Sequence, residues 1–295
     1  MNKLTALILL ALLISACGTA KKNIESVSEL DKIKNSDFNP KKQIAYNSRQ
    51  DFYPSVVGLT TESIARLGSS RLLAYSNGSD SISKIASYCY QRNFNAAFEI
   101  VDAAYPTHKK NPAFWNQVGT CFFLQGLTKK ALLYYNKSRD LNSRYAPPLN
   151  NLGVIYLLED KEQKALLAFQ KAAKVKRSGL IPQFNIAQIY LKYGFYRDSE
   201  KIFGKIYRKE PSDVDVINGL ATCKLMRGNS KLALGFYRKL AKENYQRPDI
   251  GLNYSVALRM NGENEKAKQV FEQVDDSKLG KLKPYFFRVK EYVAK

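Results

Sequence analysis

A single histidine, a single tryptophan, three methionines and four cysteines are all that 295 residues hold of these types. With His108 alone, no imidazole pair can grip a metal, and no serine or cysteine elbow lies near it for nucleophilic attack. The four cysteines have no short spacing, so neither a metal knuckle nor a full disulfide framework is written. Glycine is not gathered into a phosphate-cradling loop: Gly119, Gly126, Gly153, Gly194, Gly228 and Gly262 are spread along the chain. Acidic residues are outnumbered, 26 against 47 basic, and lie scattered among lysines, so no carboxylate pair suggests glycosidase chemistry. We therefore expect no enzyme, no metal and no cofactor.

What is present is a formal charge of +21. It points to anionic polymers, anionic membrane surfaces or acidic proteins as partners. The beginning of the chain argues against nucleic acid. Lys3 precedes an apolar run from Leu4 to Ile14, too short to span a bilayer, which reads as an export signal. Ser15 and Ala16 before Cys17 resemble the lipobox of bacterial lipoproteins. That resemblance implies residues 1–16 as a signal peptide and Cys17 as the lipidated first residue of the mature chain, acylated on thiol and amine for stable membrane anchoring. Gly18 stands where an aspartate would signal inner-membrane retention, which favours the outer membrane.

Residues 17–60 are rich in Lys, Ser, Asn and Gln and are expected to form a flexible tether, interrupted by the apolar cluster Phe52, Tyr53, Val56, Val57 and Leu59. Ile64, Leu67 and Leu72 fall on one side of a helix expected over 61–77. From there a fixed spacing takes over. Trp115, Val118, Gly119, Phe122, Ala131 and Tyr135 are followed thirty-four residues later by Leu149, Leu152, Gly153, Tyr156, Ala165 and Phe169. The same step gives Gln183, Ile186, Ala187, Tyr190, Ser199 and Phe203, then Ile217, Leu220, Ala221, Lys224, Ala233 and Tyr237. Such register without insertions predicts a stack of helix pairs.

These residues, with the run Trp115–Asn116–Gln117–Val118–Gly119 to Ala131 to Tyr135, resemble tetratricopeptide repeats. The resemblance implies an all-α, right-handed α-solenoid of about six repeats over 78–281, strong for four copies and looser for those near 78–111 and 248–281. Gly119, Gly153, Ala187 and Ala221 are the places where paired helices must approach closely. The helix over 61–77 and a last one over 282–295, with Tyr285, Phe286, Val289 and Tyr292 turned inward, are expected to cap the two ends. Cys89, Cys121 and Cys223 read as buried thiols, with a Cys89–Cys121 disulfide between neighbouring repeats as the alternative.

Family register places the concave face on the first helix of each repeat. One column holds Gln117, Asn151, Asn185, Gly219 and Asn253, with Asn116, Asn150 and Asn218 beside it, able to bond the main chain of an extended peptide, or simply residues common at that place. A second holds Leu124, Leu158, Lys192, Met226 and Met260, beside Phe123, Leu157, Leu191 and Leu225, a largely apolar floor suited to a helix or apolar peptide, or to the chain's own Phe52–Leu59 segment. Lys137, Lys171, Lys205 and Lys239 recur on the second helices. They are either a basic convex face for anionic lipid or an acidic protein, or a solvated surface. Lipoproteins that look like this imply a periplasmic scaffold on the outer membrane that binds other envelope proteins, in type IV or tight-adherence pilus or secretin assembly. An adaptor for peptidoglycan synthases or hydrolases and a surface lipoprotein of adhesion or gliding motility are the alternatives, and the inner membrane or cell surface the alternative locations.

Overall fold

A computed structural model describes residues 77–78, 80–175 and 179–294. The signal peptide, Cys17, the tether with its Phe52–Leu59 cluster and all but the last residue of the 61–77 helix lie outside the described residues.

Among the described residues there are thirteen α-helices and no strand. Twelve form hairpins: α1 (Ser81–Tyr90) with α2 (Phe94–His108), α3 (Pro112–Leu124) with α4 (Thr128–Leu141), α5 (Ala146–Leu158) with α6 (Glu162–Lys174), α7 (Ile181–Lys192) with α8 (Tyr196–Tyr207), α9 (Val214–Met226) with α10 (Ser230–Tyr237), and α11 (Pro248–Met260) with α12 (Asn264–Glu272). The last helix, α13 (Lys283–Ala294), packs on α11 and α12. All substantial packing runs within a hairpin, between successive hairpins, or onto this last helix, so the core follows the stack as a series of clusters and the fold is a helical solenoid.

Local chemistry starts the helices. Asn111 Oδ1 accepts from the Ala113 amide at 2.9 Å just ahead of Pro112, whose missing N–H costs nothing in a first turn. Asp213 Oδ1 accepts from the amides of Asp215 and Val216 at 3.0 and 3.1 Å. The turn inside each hairpin repeats as well. The residue at one fixed place is left-handed in all six: Arg92 (φ 61°), Gly126 (81°), Asp160 (55°), Gly194 (81°), Gly228 (78°) and Gly262 (81°). The amide that follows it closes back on the carbonyl five residues earlier, as Leu127 does on Phe122 and Lys161 on Tyr156. A Cβ makes this conformation costly, so Asp160→Gly is expected to raise stability by up to about 1 kcal/mol, measured by urea unfolding.

The close approaches are set by aromatic rings. A Cβ on Gly119 would stand 2.7 Å from the Tyr135 ring, and one on Gly153 2.6 Å from that of Phe169. Both rings are fully buried. Gly153→Val is therefore expected to lower stability by roughly 1–3 kcal/mol through overpacking, with the helical signal of the remaining repeats retained. The same intimacy appears at two glycines that the repeat register does not mark: a Cβ on Gly219 would stand 2.6 Å from the Phe203 ring, and one on Gly251 would collide with the Tyr245 carbonyl.

The hairpins toward the C-terminus depart from regularity. Helix α10 stops at Tyr237, a 3₁₀ turn spans Lys242–Gln246, and α12 ends early, followed by two further 3₁₀ turns. Tyr285, Val289 and Val293 are buried on the last hairpin, Phe286 packs on Phe271 at 4.8 Å between ring centres, and Arg288, Lys290 and Glu291 face water.

Cys89 and Cys121 are bonded to each other, with their Cα atoms 5.1 Å apart. This corrects the reading of three separate thiols. The cause is the stacking step: α1 and α3 lie side by side and present both sulfurs to one buried cluster. Cys223 is the free, buried thiol, and burial pushes its pKa up to about 12.

Candidate functional site

The asparagines do come together, but with one another. Asn151 Nδ2 donates to Asn116 Oδ1 at 3.0 Å, Asn150 Nδ2 to Asn151 Oδ1 at 3.2 Å, and Asn185 Nδ2 to Asn150 Oδ1 at 2.9 Å. One chain of amides thus ties α3, α5 and α7 side by side, and all four residues are buried. An open ladder of amides awaiting a peptide is not what these side chains form. Each amide has two N–H donors and a carbonyl acceptor, and burying them is favourable chiefly when they are hydrogen-bonded. Gln117, beside Asn116, is half-buried and outside this chain.

The other two asparagines belong to a second, charged cluster. Asn218 Nδ2 donates to Asp249 Oδ2 at 3.0 Å, and Asn253 Oδ1 accepts from the Tyr285 hydroxyl at 2.8 Å. Arg247 clasps Asp249 with Nε and Nη2 at 3.2 and 2.8 Å and reaches Asp215 with Nη1 at 2.9 Å. Burial raises the Asp249 carboxyl above its ordinary pKa, although Arg247 pulls the other way. The start of α11, with Arg247 at its cap and Pro248 as its first residue, puts Arg247 and Asp249 here, and no repeat position of the sequence announces the cluster.

The apolar column is broken. Leu158 at the end of α5 is 59% exposed, Phe123 and Leu124 are half-buried against neighbouring cores, Met226 is buried, and Met260 packs on the C-terminal core. A continuous apolar floor with methionines is therefore not formed. Lys192, in the same column, pairs with Glu162 of the preceding hairpin. A related pairing joins α9 to α8, where Glu200 accepts from Lys224 Nζ at 2.6 Å and from Arg227. Burial would raise the Glu200 carboxyl, but these two cations together hold it below its usual value.

Sequence reasoning missed Gln188. It lies one turn beyond Asn185 on α7, is 7% exposed, and its amide nitrogen has no hydrogen-bond partner among the described residues. Only its long amide side chain at a position filled by Ala86, Thr120, Val154, Thr222 and Val256 in the other repeats could have drawn attention to it. On the outer side Lys137, Lys171, Lys205 and Lys239 are all exposed. Lys239 falls just past the end of α10 and donates to the Tyr207 hydroxyl at 2.8 Å, with its ammonium over the Tyr207 and Phe236 rings.

No protein-family model matches the chain, and no curated protein matches it by sequence. Solved structures do. PilF of Pseudomonas aeruginosa is 18% identical, with 76% of this chain and 97% of that one covered at a TM-score of 0.60. PilW, a widely conserved type IV pilus biogenesis factor, is 16% identical, with 65% and 90% covered at 0.55. The APC/C hetero-tetramer Cut9–Hcn1 is 15% identical, with 70% of this chain covered at 0.56, and this chain spans 40% of the length of the chain it matches there. What this chain shares with them is the fold, an all-α solenoid of tetratricopeptide type.

Proposed function

We propose that the chain is a lipid-anchored scaffold of the bacterial envelope, held to the outer membrane through Cys17, whose inner face binds an extended or helical segment of another envelope protein during pilus or secretin assembly. The reading assigns it no catalysis. The observation that carries it is the Cys89–Cys121 bridge inside a solenoid: a structural disulfide belongs to an oxidising compartment, and a stack of helical hairpins presents extended surface to partners. Likeness to PilW and PilF supports the pilus branch of this reading.

The test is a photoreactive residue in place of the exposed Leu158, irradiated in cells and followed by mass spectrometry. Capture of a pilus or secretin component is expected. Capture of peptidoglycan enzymes alone moves the protein to the cell-wall adaptor class, and no capture of any other protein from this position overturns the scaffold reading. Met226, being buried, is unsuitable as a probe.

A further inference from the structure

We propose that the outward face of α4, α6, α8 and α10 docks on a bilayer containing anionic phospholipid, so that the solenoid lies along the membrane with its first helices turned away from it. Charge is not spread evenly over the second helices. Helix α2 carries Glu99 and Asp102 with no lysine or arginine, and α12 balances Lys266 and Lys268 with Glu265 and Glu272. Between them the four central second helices are basic. Lys137, Lys171, Lys205 and Lys239 form one exposed column, at steps of about 10 Å from hairpin to hairpin. Rows along the helices widen it: Lys129, Leu133 and Lys137 follow at every fourth residue of α4, and Arg197, Lys201 and Lys205 do so in α8, each about 6 Å from the next. The exposed acids on these four helices, Asp140 and Asp198, are already met by Arg139 at 2.9 Å and by Lys201 at 3.7 Å. Among the described residues no carboxylate comes within ion-pair reach of Lys137, Lys171 or Lys205. The result is a basic patch of roughly 30 by 12 Å.

Three features favour a lipid surface over a protein or a nucleic acid. The repeated column is lysine, a hydrated point charge that protein interfaces avoid, whereas the arginine fork that grips single carboxylates is what they enrich. A broad array of point charges suits many headgroups at once. Apolar side chains also stand exposed among the cations: Leu133 is 64% exposed between Lys129 and Lys137, and Leu232 is 55% exposed beside Lys231. In water these leucines gain nothing, but at the boundary of headgroups and acyl chains they leave it while the lysines stay among phosphates. Finally, the exposed positions of these four helices hold no aromatic ring on which a nucleobase could stack. Each lysine brought against an anionic bilayer raises partitioning about fivefold.

The test is co-sedimentation of the full-length chain carrying Cys17→Ser, so that no acyl chain contributes, with vesicles of phosphatidylglycerol and phosphatidylcholine in equal parts or of phosphatidylcholine alone. The apolar Leu4–Ile14 run is common to every variant and produces no difference between them. Preference for the anionic vesicles is expected, and it should vanish in about 1 M salt, where screening acts within about 3 Å. Replacing Lys137, Lys171, Lys205 and Lys239 together by glutamine should weaken binding by roughly a hundredfold or more, with the helical signal unchanged because all four are exposed. Replacing Lys278, Lys281, Lys283 and Lys290, which lie beyond the last hairpin, removes the same charge and should matter far less. Equal losses in the two variants would mean that net charge alone acts, and would overturn the assignment to this face. An environment-sensitive dye on Leu133→Cys should shift to the blue on the vesicles, whereas one on Leu158→Cys should not. The reverse pattern, no preference for anionic vesicles, or tighter lysine-dependent binding to soluble poly-glutamate or duplex DNA overturns the proposal. Its failure leaves the scaffold reading standing, since that is decided by capture from position 158 in cells.

Discussion

Replacing Cys89 and Cys121 together by alanine should lower the unfolding free energy by roughly 3–4 kcal/mol. The bridge spans 32 residues, and closing a loop of that size removes about this much conformational freedom from the unfolded chain in the chain-entropy description. Alanine is the right replacement because both sulfurs sit in a fully apolar cluster with Ile85, Val118 and Phe114, where a serine hydroxyl would bring a second penalty. Reductant should reproduce the loss in the native protein and have no effect on the variant. Thiol counting gives an independent check. Alkylation in denaturant without reductant should leave Cys89 and Cys121 unmodified. Cys223 should resist maleimide in the folded chain, since burial holds its thiol protonated at neutral pH and Ser199 Oγ lies 3.5 Å from the sulfur. A folded protein with Cys89 and Cys121 both open to alkylation would defeat the argument and weaken the case for an oxidising compartment.

Arg247→Met should be comparably damaging, at about 2–3 kcal/mol. Its guanidinium lies between Asp215 and Asp249, whose side chains are 18% and 10% exposed, and removing it leaves two crowded carboxylates with no cation between them. The figure is set below that for a fully buried pair because the Arg247 side chain is 34% exposed and water screens part of the attraction. The pH dependence follows in sign. Burial holds the Asp249 carboxyl above its ordinary value of 3.8 in the folded chain, so the folded state takes up its proton more readily than the unfolded one. Its contribution is therefore most favourable at low pH and declines as pH rises from the ordinary value through the raised one. Without Arg247 the folded value rises further, so the deficit of the variant should be largest near neutrality and shrink toward pH 4.5. Arg247→Met combined with Asp249→Asn should regain most of the loss. A deficit independent of pH, with no recovery in the double variant, would mean that the arginine acts through packing alone.

The repeat was legible from side-chain size. Tyr135, Phe169, Phe203 and Tyr237 recur at one spacing, and each is fully buried against its own hairpin or its neighbour. Local contacts make this possible: a solenoid hairpin meets only adjacent hairpins, so the sequence within about seventy residues contains every partner. The left-handed turn was legible where glycine marked it and hidden at Arg92 and Asp160, because any residue can be held there once the hairpin around it is formed.

The proposed binding surface was less legible, and the asparagines show why. Their spacing placed them on one face of successive helices, but whether an amide turns to solvent or to the next amide depends on how closely those helices are stacked. Such separations are a matter of packing between successive hairpins, as where the Phe203 ring of α8 meets Gly219 of α9. Met226 and Met260 misled as well, since Met226 is buried and Met260 packs on the C-terminal core.

What the sequence by itself determined is the helix-pair unit, its constant step and the places where helices must touch, because these are written in volumes and turns that act over a few residues. What only the tertiary structure decided is which polar groups spend their hydrogen bonds inside the chain, that Cys89 meets Cys121, and that Arg247 joins two aspartates. Those outcomes depend on angles and separations between hairpins, which accumulate along the stack and which no single repeat encodes.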